Sequence, residues 1–139
     1  GVLTNGTFKN PVGASMPGPV TPGAAFEFEV TAAPGAHLFV VFMFGQSNDL
    51  FFGNQKAIEL FDKAGKPLEG DVTAQFELWD AGTEVNEEPG VGPNQAPRQK
   101  AENTGASEKK KVGPVNDGFT YPATTEVLRI TVSPAAGSM

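Results

Sequence analysis

No stretch of ten or more residues in this chain carries the apolar spacing of an amphipathic helix. Glycine and proline interrupt it too often, at 17 and 12 of the 139 residues. In a helix interior glycine costs about 1 kcal/mol and proline about 3 kcal/mol relative to alanine. Order must therefore come from strands and turns. Apolar content is still 39%, with 11 Phe, too much for a chain that stays unfolded in water. A length of 139 residues matches one domain and suffices to bury a core without cross-links.

Period-two alternation supplies the strands. In 26–30, Phe26, Phe28 and Val30 share one face, with Glu27 and Glu29 on the other, the pattern of a strand with one wet side. His37 to Phe44 is apolar after its histidine, which predicts a central strand covered on both faces. Segments 57–61, 72–79 and 127–132 alternate as well, and 7–10 and 119–121 are weaker candidates. Turn signals at Pro34-Gly35 and at 63–67 separate them. The sum is an all-β, antiparallel β-sandwich of about seven or eight strands with long loops. Segment 10–24 is rich in proline and glycine, and 80–118 is polar. Loops as long as the second are functional or mobile more often than not. Nothing marks a boundary, so 1–139 reads as one domain with its core at about 26–132.

Several function classes fall away on composition. There is no Cys and only one His, which excludes disulfides, thiolate chemistry and a multi-histidine metal site. A net charge of −6 and a pI near 4.7 disfavour nucleic acid as a partner. The longest apolar run, Leu38 to Phe44, is far short of the roughly 20 residues of a transmembrane helix. A chain opening at Gly1 without a leader reads as a processed product.

The charge that remains is concentrated. Glu77, Asp80, Glu84, Glu87 and Glu88 fall in 77–88, and no base lies between Lys66 and Arg98. In Asp80-Ala81-Gly82-Thr83-Glu84, Gly82 permits a positive-φ turn that would bring Asp80 and Glu84 together. Ca²⁺ takes six to eight oxygens from carboxylates, carbonyls and water, and such a loop offers them. Asp49 sits between Phe44 and Phe51-Phe52 with no arginine near it in sequence. An unpaired carboxylate there is costly, and a cation would be a suitable partner. The plainer alternative is a solvated acidic loop in which Asp before Gly is an ordinary turn former. The spacing of an EF-hand is missing.

Ser47-Asn48-Asp49-Leu50-Phe51, the strand 72–79 and Trp79-Asp80-Ala81-Gly82-Thr83-Glu84 together resemble the spondin N-terminal domain family. This is the domain of F-spondin and mindin, also found in bacterial secreted proteins. Asn94 to Pro97 and Phe119-Thr120-Tyr121-Pro122 follow in the same order, so the resemblance spans about residues 26–132. It implies a C2-type variant of the β-sandwich holding one Ca²⁺, with Asp49, Asp80 and Glu84 as carboxylate ligands. Animal members carry Asp where this chain has Glu84, and cysteines that this chain lacks. It further implies a secreted or periplasmic, non-catalytic module for adhesion or extracellular protein binding.

Other constellations are weaker. Paired carboxylates such as Asp80 and Glu84 can hydrolyse glycosides, but no cleft wall is marked around them. His37 opens a strand without a nucleophile or an orienting acid beside it, and Ser47 lacks the Gly-x-Ser-x-Gly elbow. Trp79 either stacks on a sugar or packs under the long loop and fixes Asp80. The Phe residues flanking Asp49 either fill the core or press into lipid. Lys109-Lys110-Lys111 is too short a basic run for tight phosphate binding. The expectation is thus a calcium-stabilised module binding an extracellular protein. The alternatives are a calcium-dependent binder of carbohydrate or lipid headgroups and, last, a glycoside-acting enzyme. A closed coordination shell would separate the first from the second.

Overall fold

The strands are short because turn residues recur every few positions. The computed structural model describes residues 4–137. In chain order the strands are β1 (His37–Leu38), β2 (Val41–Met43), β3 (Leu50–Asn54), β4 (Ile58–Glu59), β5 (Gly70–Asp71), β6 (Phe76–Asp80), β7 (Gly113–Pro114) and β8 (Thr131–Val132). A single helical turn, α1 (Thr124–Val127), and a 3₁₀ turn at Thr73–Gln75 are the helical elements among the described residues. The fold is all-β and antiparallel: β2-β3-β6-β7 form one sheet, and β1-β4 and β5-β8 form two-stranded ribbons.

The unit Ala32–Met139 holds the core. Ile58, Val72 and Phe76 are buried at its centre, with Leu38, Val40, Phe42, Leu68, Ile130 and Val132 against them, so all three sheets meet in one apolar interior. Phe42 touches Phe52 and Phe76, and Phe44 meets Phe52 edge-on. Register puts Leu50, Phe52 and Asn54 on the inner face of β3, and all three are buried.

Four strand readings in this unit need correction. The apolar run 37–44 is not a central strand covered on both faces. It splits into β1 and β2, and β2 is the edge of its sheet. Phe39, Val41 and Met43 are 67%, 64% and 50% exposed. The split is held by Asn54, whose Oδ1 accepts the Val40 N–H at 2.8 Å and whose Nδ2 donates to Leu38 O at 3.1 Å. The central position belongs to β3, flanked by β2 and β6. Segment 72–79 is likewise strand only from Phe76, because Val72 to Gln75 turn in a 3₁₀ coil. The turn breaks the alternation there: Val72 and Phe76 are inside as expected, but Thr73 is buried and Ala74 exposed. Segment 127–132 is strand only at its end. Segment 119–121 is not a strand, and Asp117 there turns the chain by accepting the Phe119 N–H at 2.9 Å.

The unit Gly1–Thr31 contains no strand among its described residues, so neither 7–10 nor 26–30 belongs to a ladder. Pro11, Pro17, Pro19 and Pro22 lack the N–H that a ladder needs. The expected facing of Phe26 and Phe28 holds, since Phe8 stacks on Phe28 with ring centres 4.9 Å apart and meets Phe26 edge-on at 5.3 Å.

Candidate metal centre

Two turns position the acids. Between β2 and β3 the chain reverses through 44–50, closed by Ser47, whose hydroxyl donates to Phe44 O at 2.6 Å and accepts the Leu50 N–H at 3.1 Å. Ser47 is therefore a buried turn former, and the turn places Asn48 and Asp49 just before β3. After β6 the chain turns at Gly82, with φ +72°. A Cβ there would lie 2.6 Å from Lys110 O, so both conformation and space require glycine.

The long segment 80–118 is far from structureless. Glu84 bridges Ser107, and Val85, Glu108 and Lys110 donate N–H to Ala106 O, Thr83 O and Gly82 O respectively, in the first case from Val85. The segment then returns as β7 beside β6.

The Gly82 turn brings Glu84 to Asp49 rather than to Asp80. Asp49 Oδ2 accepts the Thr83 N–H at 2.7 Å, the Thr83 hydroxyl at 2.7 Å and the Glu84 N–H at 3.0 Å. Asp49 Oδ1 and Glu84 Oε2 are buried without a hydrogen-bond partner, as is Asn48 Nδ2. Glu84 is only 6% exposed. Burial first, then the charges of Asp49 and Glu87, push its carboxyl above its ordinary value, against the pull of the nearby Asn48 amide. A Cβ on Gly105 would stand 3.0 Å from Glu84 Oε2 and 3.5 Å from Asn48 Nδ2, so that glycine leaves open the space those atoms face.

Asp80 is occupied differently. Its Oδ1 accepts the Gly82 N–H at 2.7 Å and its Oδ2 the Asn86 side-chain amide at 2.8 Å. Its charge acts on Lys110 and Tyr121. Tyr121 donates to Asp117, and its hydroxyl pKa is raised, by burial first and then by that bond. Asn86 Oδ1 and Glu108 Oε2 are also buried and unpartnered. Among the described residues, no three acidic or histidine side chains are gathered closely enough to hold a metal ion by themselves. Asp49 and Glu84 come together; Asp80 is turned toward Asn86.

Beside this corner lies a network that the sequence did not single out. Glu87 accepts the Asn94 N–H at 3.0 Å and the Asn94 side-chain amide at 2.6 Å. Burial raises the Glu87 carboxyl, but the bonds from Asn94, the nearby Asn48 amide and the charge of Arg98 outweigh it and hold the group below its ordinary value. Gln95 is 0% exposed. Its Oε1 accepts the Gly90 N–H and Arg98, and its Nε2 donates to Glu87 O and Glu88 O. Gly92 leaves room for it, because a Cβ there would overlap Glu87 Oε2.

The remaining candidates have structural places. Trp79, half-buried on the outer sheet face, donates Nε1–H to Gly53 O at 3.3 Å. His37 is exposed opposite Glu59. Compared with known proteins, the chain matches no family model, no curated protein and no solved structure.

Proposed function

We propose that this chain is a non-catalytic calcium-binding β-module of the spondin N-terminal kind, a C2-type sandwich serving extracellular adhesion or protein binding. The observation behind this reading is the pair of buried, unpartnered carboxylate oxygens, Asp49 Oδ1 and Glu84 Oε2, in a corner where each charge opposes the other. A buried polar atom left unpaired costs about 1–3 kcal/mol, and a divalent cation with a preference for oxygen removes that cost twice. Asp49 and Glu84 would hold the ion. Asp80, expected as the third carboxylate ligand, instead accepts from the Gly82 N–H and the Asn86 amide and is left out of the proposed shell. Carbonyls and water would complete a shell of six to eight.

The ion's role here is cohesion rather than turnover. It would cancel repulsion and tie the turn before β3 to the turn after β6. Melting with CaCl₂ and with a chelator tests this reading. At a hundredfold excess over Kd, a site present only in the folded state adds about 2.7 kcal/mol. Equal melting in both conditions, with no heat of calcium binding in calorimetry, defeats it.

A further inference from the structure

We infer that Asn48 couples the cation site to the loop 86–99, so that an ion held at Asp49 and Glu84 tightens that loop. The inference rests on the calcium reading above and adds a controlled surface to it.

Asn48 is 7% exposed, and its amide faces two loops. Its Oδ1 accepts the Glu87 N–H at 3.0 Å. Its Nδ2 has no partner and, with Glu84 Oε2, borders the space left open at Gly105. One planar group therefore stands between Glu84 on the ion side and Glu87 on the loop side. The loop beyond Glu87 leans on the same short segment. Gly90 N–H reaches Gln46 O at 3.0 Å, Ala96 N–H reaches Ser47 O at 3.4 Å, and Arg98 reaches the Gln46 side chain at 3.2 Å. Residues 46–48 form the floor of the loop, and Asp49, next in sequence, anchors the turn that carries Glu84.

Without an ion, the charges of Asp49 and Glu84 oppose each other and the Asn48 donor goes unused. A cation held by Asp49 and Glu84 fixes the Glu84 carboxylate beside Asn48, and Oε2, with two lone pairs, can meet the ion and accept from Asn48 Nδ2. With both ends of the amide engaged, its rotation is blocked and the bond to the Glu87 N–H is held. Asn48 is thus a positioning residue that never needs to touch the ion.

Calorimetry with CaCl₂ and amide hydrogen exchange of the 86–99 peptides test the coupling in the whole chain. In the parent, saturating calcium should slow exchange of the loop about tenfold, within the usual range of coupling between two sites. Coupling is reciprocal, so Asn48→Ala should bind calcium more weakly by that same factor and lose the loop's response. Asn48→Leu, which keeps the volume of the side chain without either polar end, should give the same pair of changes and replaces Asn48→Ala if that variant does not fold. A parent that binds calcium without any change in loop exchange overturns the coupling and leaves the calcium site standing. Variants that keep the full loop response overturn it too. A parent that binds no calcium removes both readings.

Discussion

Two buried polar clusters share the same corner of the molecule and are finished to different degrees. Around Glu87, Gln95 and Arg98 the side-chain hydrogen bonds close on one another. Around Asp49, Glu84 and Asn48 three buried atoms are left over. The two glutamates record the contrast, since Glu84 is raised and Glu87 lowered from the same ordinary value of 4.5. A satisfied network is architecture: it replaces an apolar core in a segment with almost no apolar residues to bury. The unsatisfied one is the corner that the proposed cation would complete.

The largest effect should come from the finished cluster. Gln95→Ala removes both ends of a fully buried amide and takes a partner from Arg98, the Gly90 N–H and the Glu87 and Glu88 carbonyls, so we expect a loss of about 3 kcal/mol in denaturant unfolding. A loss under 1 kcal/mol would mean that the network merely decorates the loop. In the unfinished cluster the same kind of change should run the other way. Glu84→Gln relieves the repulsion and offers an N–H toward Asp49. Metal-free stability should rise by about 1 kcal/mol, the worth of one hydrogen bond, while the stabilisation by calcium disappears. If the metal-free variant is instead weaker than the parent, the corner was already complete.

Titration sharpens the contrast without mutation of the finished cluster. Glu87 binds its proton less tightly folded than unfolded. Its contribution is therefore complete above pH 4.5 and is lost as pH falls through its lowered folded value. Glu84 binds its proton more tightly when folded, so metal-free stability falls as pH rises from 4.5 through the raised value. Melting against pH in chelator should show the second slope in the parent and not in Glu84→Gln. The smallest effect is expected far from both clusters: Val41→Thr, on the exposed face of β2, should change stability by no more than about 0.5 kcal/mol. A cost of several kcal/mol would restore the covered central strand that the apolar run suggested.

Much of the local structure was legible. The inward side of Phe76, the facing of Phe26 and Phe28 and the turn at Gly82 all depend on neighbours a few residues away, and side-chain period and backbone φ are local properties. The site was half legible. Clustered acids and Asp49 in apolar surroundings pointed to the corner where Asp49 and Glu84 meet, but pairing by proximity in sequence joined Asp80 to Glu84, whereas backbone N–H groups of the Gly82 turn drew Glu84 to Asp49. Asn48 and Gln95 gave no signal, because an amide is marked only by the partners that reach it, and Glu87 lies 39 residues from Asn48.

By itself, the sequence determined an all-β chain: glycine and proline forbid long helices, and alternation assigns each strand an apolar side. Only the tertiary structure decided which strand is central and which apolar face stays wet. Apolarity states what a surface would gain by being covered, while coverage depends on how many strands lie beyond it. Segment 37–44 was the more apolar candidate, yet its β2 lies at the sheet edge, while β3 has a partner along its full length on β6 and a second on β2. The same long-range pairing chose which carboxylates meet.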